Sequence, residues 1–564
     1  MPLKILRTYW FILIIPGIFT FFSFLTKSAS GPFWQYCDPS YQYLFNSLKL
    51  IAGLSPTHTD HPGTPLQILG MLVIWCLNIG RSSADIVTRV LLNPELYLHA
   101  IYASLPVLFF ATSVMVGVYA YHKTQDKMAA LLPSLALFCV LSMKSFSYEQ
   151  PYIPIVANVY PETLLMSIIN LFCLGLFGAF FAKTTKRESV FVLLLALICG
   201  LGVATKLIFL PLLIVPLIIA SWRMKFVFLL VTGASFFLWT SPIMSQYPRM
   251  WGWITGLITH SGRYGGGTTE VINVSAFFMA CGLILLRYWF IVLPALSGLV
   301  WGVIRIQKDR TDRWARFLWA TSLGVLAQFF FVAKHFDDHY LVPGIGLFSA
   351  LLVFLYLNPV VHKIIVKRIA WVLVFVAILY GGISTVLFCR ELSGLEKDLK
   401  GFREGLQSKY PGSILIGYYG HLTPSPEYAL SYGDDSAFSD QLSKLYPKIF
   451  CLEQGYIWHF KSRFLADDLL AHFPSIIFIG EDVDFSRTPY SVRLLEKSQY
   501  FRAYRLTGST EREAEHLFLA AKRAFAKGDY GQAFVMALRS RELHLQPDKR
   551  TQDFIQTLEP YFKR

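Results

Sequence analysis

Charge is what this chain has least of. Only 15% of its residues are Asp, Glu, Lys or Arg, while 54% are hydrophobic, far more apolar content than a soluble core needs. Cysteine is sparse too: there are eight, each standing alone in the chain. Cys76, Cys139, Cys173, Cys199 and Cys281 fall on apolar segments and read as small buried hydrophobes. Cys37, Cys389 and Cys451 leave room for one disulfide without assigning its pairing. No metal-ligand spacing links the cysteines. The charge that is present is unevenly spread. Residues 1–389 hold 27 basic and 13 acidic residues, and the remainder holds 24 and 23. The net charge of +15 therefore belongs to the apolar part, which argues against a soluble nucleic-acid binder.

What is abundant is long apolar runs. Candidate spans lie near 9–26, 97–121, 129–146, 163–182, 189–205, 207–221, 226–244, 289–306, 317–333, 341–358 and 370–388. That makes about eleven, each close to the ~20 residues a bilayer crossing takes. Two further stretches, 65–80 and 273–286, are shorter. Orientation follows from the basic loops. With Lys4 and Arg7 in the cytoplasm, every second loop is basic, and these segments together carry 17 basic residues against four acidic ones. If 65–80 also crossed, all later basic loops would face outward. Both short stretches are therefore read as helices in the outer interface or packed on the bundle. Ser28-Ala29-Ser30 has the look of a cleavage site, but the preceding apolar run is long for a signal peptide and is read as a retained span.

The middles of these spans are almost free of ionisable groups, whereas transporters and proton pumps keep such groups near the midplane. The unusual residues gather instead at the outer ends. Asp38, Asp60 and His61 lie in the first outer loop, and Glu149 and Glu162 in the second. Lys206 occupies a tight third turn, and His260 and Arg263 the fourth. Lys334, His335, Asp337, Asp338 and His339 make up the fifth. A pocket at the outer membrane face would collect them, which suits an enzyme that handles a lipid-linked substrate.

The first outer loop reads Cys37-Asp38-Pro39-Ser40-Tyr41-Gln42-Tyr43-Leu44, then Thr57-His58-Thr59-Asp60-His61-Pro62-Gly63-Thr64-Pro65-Leu66-Gln67. Here, with Tyr160-Pro161-Glu162, Ala204-Thr205-Lys206 and His339-Tyr340-Leu341-Val342-Pro343 following in order, the chain resembles the GT-C superfamily of polytopic glycosyltransferases. In particular it is similar to bacterial members related to the protein O-mannosyltransferase and aminoarabinose-transferase group. The resemblance covers roughly residues 1–389. It implies a multi-pass protein of a bacterial inner membrane, with cytoplasmic N-terminus and periplasmic active site. It also implies a polyprenyl-phosphate sugar donor and inversion at the anomeric carbon. Asp38 falls where relatives carry their catalytic base, although this chain has Asp-Pro where many have Asp-Glu. Inversion needs one base on the acceptor hydroxyl and stabilisation of the departing phosphate. Asp38 is the base on this reading. Tyr41, Asp60, His61, Glu162, Lys206, Arg263, His335, His339 and Tyr340 are the substrate-binding set, with Lys206 and Arg263 the cations for phosphate.

Each assignment has a structural counterpart. Asp38 could cap the helix beginning near Tyr41, and Asp60 with His61 could shape the Pro-Gly turn. Glu162 could complement a helix dipole behind Pro161, and Lys206 could snorkel to the interface. Arg263 sits among Gly262, Gly265, Gly266 and Gly267, the composition of a closing loop or of a plain linker. The run from Lys334 to Tyr340 has donors a divalent metal takes, but no second acidic cluster accompanies it. No cofactor is predicted, and that metal stays an open alternative.

Beyond residue 389, strands are predicted near 413–419, 448–452, 475–480 and 500–506, with a helix at 426–432. Residues 511–527 and 530–545 read as a helical hairpin with tetratricopeptide-like spacing. The expected fold is mainly α: a polytopic membrane bundle of about eleven spans, outer-face interfacial helices, and a periplasmic C-terminal α/β domain ending in that hairpin. The expected divisions are 1–389, 390–508 and 509–564, the tail offering a surface for a protein partner. The expected function is transfer of a sugar from the lipid-linked donor to a glycan, lipid or protein acceptor; a lipid-sugar flippase or transporter is the alternative. An impermeant thiol reagent added outside should leave a cysteine placed at position 310 unlabelled. Labelling there would reverse the orientation.

Overall fold

The computed structural model describes residues 9–143, 154–262, 265–358, 363–417, 426–434, 436–453, 456–460, 462–464, 469–480, 490–507, 510–543 and 548–561. The chain divides into two compact units. The first comprises Met1–Gly31 and Gln42–Ser393, the second Pro32–Tyr41 and Gly394–Arg564.

In order, the helices of the apolar part are α1 (Ile14–Ala29), α2 (Ser40–Ile51), α3 (Thr64–Cys76), α4 (Ser83–Leu92), α5 (Pro94–Thr124), α6 (Lys127–Leu131), α7 (Pro161–Phe180) and α8 (Thr185–Thr205). They continue with α9 (Ile214–Ile219), α10 (Trp222–Thr240), α11 (Tyr247–Thr259), α12 (Val274–Lys308), α13 (Arg313–Val332), α14 (Val342–Tyr356) and α15 (Lys363–Lys409). Among the described residues, nine helical stretches are long and apolar enough to cross a membrane. The segments expected at 129–146 and 207–221 are shorter, Lys127–Ser142 and Leu207–Ile219, both broken into α and 3-10 pieces. Prolines explain part of this. Pro133 and Pro211 each lack the N–H that an α-helix needs and crowd the preceding turn.

The stretch at 65–80 forms α3, whose 13 residues span only about 20 Å at 1.5 Å per residue. That at 273–286 forms the first part of α12 and is set off from the following span by a kink at Tyr288, whose backbone is non-helical. The kink falls where Arg287 interrupts the apolar run, and Arg287 and Tyr288 both donate to Asp338 there.

Two helices, α7 and α14, are apolar on every side and buried almost throughout, the pattern of a central element. By contrast, α10, α12 and the first part of α15 expose large apolar residues such as Phe226, Leu286 and Phe375, as lipid-facing helices must. At the C-terminal end of α7, Arg313 donates to the carbonyls of Ala179 and Ala182 and to Glu188. The side chains of Arg305 and Asp312 pair nearby in sequence. At the opposite end, about 27 Å away along α7 by helical rise, stands Glu162. Thus Arg313 and its partner Glu188 lie at one end of α7, and Glu162 with Lys206 and His339 at the other.

In the second unit, β1 (Ile414–Gly417) is followed by α16 (Pro426–Gly433), α17 (Ser439–Leu445), β2 (Cys451–Glu453), β3 (Tyr456–His459) and β4 (Ser462–Phe464). Next come β5 (Ile476–Gly480), β6 (Ser491–Lys497) and β7 (Arg502–Thr507). The main sheet has order β1-β5-β7-β6, parallel only between β1 and β5. Strands β2, β3 and β4 form a small antiparallel meander. Side chains alternate across β5: Ile476 and Phe478 join Tyr428 and Phe450 on one face, Ile477 and Ile479 join Leu406 of α15 on the other. The tail holds three helices, α18 (Thr510–Ala526), α19 (Tyr530–Leu543) and α20 (Lys549–Leu558). The expected hairpin is present. The third helix brings Ile555 and Leu558 against Ala521, Ala524, Ala533 and Ala537, covering a face that two helices leave open. All eight cysteines are free thiols.

Close packing at α14 is testable. A Cβ on Gly346 would meet Ile169 of α7 at 2.5 Å, whereas one on Gly233 of α10 would meet nothing within 4 Å. Thermal unfolding in detergent should show Gly346→Ala destabilised by about 1–3 kcal/mol and Gly233→Ala unharmed.

Candidate functional site: a buried ion cluster at one end of the bundle

Four segments distant in sequence meet at the Glu162 end. Tyr160 precedes the first turn of α7, Pro161 supplies its preset backbone angle, and Glu162 follows as a first-turn acid. Lys206 closes α8 in an extended conformation, because Pro62 forms an antiparallel bridge with it and the Leu207 amide donates to the His61 carbonyl at 3.2 Å. His339 comes from a 3-10 turn, Asp338–Leu341, that leads into α14.

Glu162 is fully buried and Lys206 nearly so. The ammonium donates to Glu162 Oε1 and lies 4.6 Å from the centre of the Tyr340 ring, a cation–π contact. His339 Nε2 is 3.4 Å from the same carboxylate oxygen, and its Nδ1 is 2.7 Å from Asp337 Oδ1. Both ring nitrogens face carboxylates, so a ring protonated on both satisfies both acids, and a singly protonated ring only one. The Tyr340 ring packs on His339 with centroids 4.2 Å apart. Gln328 Nε2 holds the Tyr340 carbonyl at 2.6 Å.

The loop before α3 supplies the histidines. Its backbone is held by Asn46 Oδ1, which accepts from the amides of Thr57 and His58 at 2.8 and 3.1 Å, and by Gln67 Nε2, which donates to the His58 carbonyl at 2.8 Å. Gly63 closes the loop at φ +73°, where a Cβ would sit 2.8 Å from the Tyr43 hydroxyl; only glycine fits. The His61 ring packs edge-on against Trp253 and His58, with centroids 5.6 and 5.8 Å away. Desolvation, then the charges of Lys206, His58 and His339, push the His61 imidazole well below its ordinary range. At neutral pH it is therefore uncharged, able to donate from one nitrogen and accept at the other. Among the described residues, the buried atoms Glu162 Oε2, Thr59 Oγ1, Thr64 Oγ1, Gln67 Oε1 and Gln328 Oε1 have no hydrogen-bond partner.

Of the predicted set, His61, Glu162, Lys206, His339 and Tyr340 come together. Asp60 sits on the turn beside His61, half-buried. His335 does not join them. Its Nε2 lies 3.2 Å from the Leu257 carbonyl, and Lys334 donates to the carbonyls of Leu257 and Ile258, so this pair caps the C-terminal end of α11. Asp38 and Tyr41 lie in Pro32–Tyr41, which forms part of the other unit; Asp38 is exposed on a turn and Tyr41 buried. Arg263 and Glu149 lie outside the described residues. Asp337, His58 and Tyr43 were not in the predicted set. For Asp337 the signal was its place two residues before His339 in an acidic run, and for His58 the His-x-x-His spacing with His61. Among the described residues, no group of three or more His, Cys, Asp and Glu side chains stands close enough to hold a metal.

No family model matches the chain, and no curated protein matches it. Among solved structures the chain is similar to ArnT from Cupriavidus metallidurans in the apo state, with TM-score 0.48, 10% identity, and coverage of 86% of this chain and 96% of that one. With ArnT bound to undecaprenyl phosphate the TM-score is 0.46 at the same identity and coverage. At this level of similarity the roles of individual side chains come from this structure alone.

Removing one partner of a buried pair strands the other charge. Glu162→Gln and Lys206→Met should each lower stability by about 3–5 kcal/mol, and the double variant should recover part of that loss. Thermal unfolding of all four proteins in detergent measures the coupling, and additive losses would mean that the pair does not act as a unit.

Proposed function

We propose that this chain is a membrane glycosyltransferase that moves a sugar from a polyprenyl-phosphate donor to an acceptor hydroxyl, with inversion, at the outer face of the membrane. The observation that carries this reading is the buried Lys206–Glu162–His339–Asp337 cluster at one end of the bundle. A prenyl chain suits the exposed apolar side chains of such a bundle. Its phosphate then stops where the charges begin.

On this reading Lys206 is the principal cation for the phosphate, held in place by Glu162 and by the Tyr340 ring. An ammonium has three N–H groups, so engaging Glu162 does not exhaust its donors. His61 adds a neutral donor beside it. As the bond from the anomeric carbon to phosphate oxygen breaks, negative charge grows on that oxygen, and donors already in position stabilise it without reorganisation. The base on this reading is Asp38, whose carboxylate takes the proton of the acceptor hydroxyl as that oxygen forms the new bond to the anomeric carbon. Donor phosphate leaves as prenyl phosphate and the proton stays on Asp38. One displacement inverts the centre and needs no covalent enzyme intermediate. An exposed carboxylate fits this role, because the acceptor must reach it. The outward orientation rests on the basic loops at the far end of the bundle.

The test is transfer in proteoliposomes supplied with a prenyl-phosphate sugar and an acceptor. Asp38→Asn should lower kcat by about 10²- to 10⁴-fold while donor binding is retained. Transfer at the wild-type rate by Asp38→Asn would sink the assignment of the base. Movement of the lipid across the membrane without any transfer would replace the enzyme by a flippase.

A further inference from the structure

The second compact unit is not built only from the C-terminal residues. It includes Pro32–Tyr41, the segment that carries Asp38, although more than 350 residues of apolar chain separate that segment from Gly394. We propose that the C-terminal unit serves catalysis by holding this loop, and that Arg403 acts as a positioning residue for Asp38 through Trp34. The inference rests on the reading of Asp38 as the base.

Two elements of the unit grip the loop. One is α15, from which the Arg403 guanidinium stands 5.4 Å from the centre of the Trp34 ring, in reach of a cation–π contact. The other is α16, which packs against the short 3-10 turn Phe33–Gln35. Both are anchored to the same sheet. Leu406 and Phe402 of α15 pack on the Ile477 and Ile479 face, and Asp398 accepts from Ser498 Oγ and the Tyr500 amide at 2.7 and 3.2 Å. On α16, Tyr428 donates to the Gly417 carbonyl at the end of β1 and packs on the opposite face with Ile416 and Phe478.

The loop is ordered inward from these contacts. Phe33 and Cys37 are fully buried, the Tyr36 amide donates to the Phe33 carbonyl at 3.1 Å, and the Tyr41 amide to the Cys37 carbonyl at 2.8 Å. Asp38 is the residue this frame leaves exposed. Burial, and after it the Asp38 carboxylate, push the Cys37 thiol well above its ordinary range, so Cys37 is an inert packing residue beside the base. A loop gripped at Phe33–Gln35 and closed by the Tyr41–Cys37 hydrogen bond presents its carboxylate in one place. A misplaced base loses rate steeply even when the substrate still binds.

The experiment measures kcat and donor KM for Arg403→Ala, Arg403→Lys, Trp34→Leu and the Arg403→Ala/Trp34→Leu double variant. Arg403→Ala and Trp34→Leu should each lower kcat roughly tenfold with donor KM nearly unchanged, because orientation and not binding is lost. The double variant should be no worse than either single one, as expected of two members of one contact. Arg403→Lys, which keeps the cation, should recover part of the rate. If Arg403→Ala does not accumulate as folded protein, Arg403→Lys and Trp34→Leu carry the comparison. Wild-type kcat in Trp34→Leu, or additive losses in the double variant, would overturn the positioning role while leaving an inactive Asp38→Asn, and with it the base, intact. An active Asp38→Asn would instead remove the reading on which this inference rests.

Discussion

Everything at the polar end of the bundle depends on one constraint: the Glu162 carboxylate is completely enclosed and must be answered by positive charge. A buried carboxylate left alone costs several kcal/mol even after relaxation. Lys206 answers it directly, and His339 approaches the same oxygen. Each partner arrives on a different piece of chain. To bring them there, α8 must end in an extended residue, the loop before α3 must lie along it, and the chain must turn tightly ahead of α14. The irregular backbone at this end of the bundle is thus the consequence of one charge-pairing requirement. The Pro62–Lys206 bridge and Gly63 are its local solutions.

The same economy explains why histidine, and not more lysine, surrounds the cluster. A second permanent cation beside Lys206 would repel it in a low-dielectric setting. His61 avoids that by staying neutral under the influence of its neighbours, yet it remains able to hydrogen-bond. Tyr340 likewise contributes an electron-rich face and a packing surface without adding charge. Lys206 thus stands with a neutral imidazole and an aromatic face beside it.

Much of this was legible in the sequence, and the exceptions have identifiable causes. Spans announce themselves because a bilayer demands some 20 apolar residues, and the basic loops separate one end of the bundle from the other. Glu162, Lys206 and His339 could therefore be assigned to a common end. The division within α12 was legible too: its kink at Tyr288 falls beside Arg287, which interrupts the apolar run and pairs with Asp338. In the C-terminal unit, β5 declares itself by its apolar run. By contrast, β6 is an exposed edge strand with Arg493, Glu496 and Lys497 in it, which masks its strand character. The third tail helix is too polar to attract notice until it packs on the first two.

By itself, then, the sequence determined the membrane character, the rough limits of most of the long helices, and the end of the bundle on which polar residues collect. These properties follow from local composition, which water and lipid read segment by segment. Only the tertiary structure decided which polar residues meet. His335 and His339 are four positions apart and chemically alike, yet one caps α11 and the other faces Glu162. Asp337 and Asp338 are adjacent, yet one orients His339 and the other pairs with Arg287. The break between α13 and α14 turns these neighbours toward different elements. Direction of that kind comes from packing across the whole bundle, and no local pattern of residues encodes it.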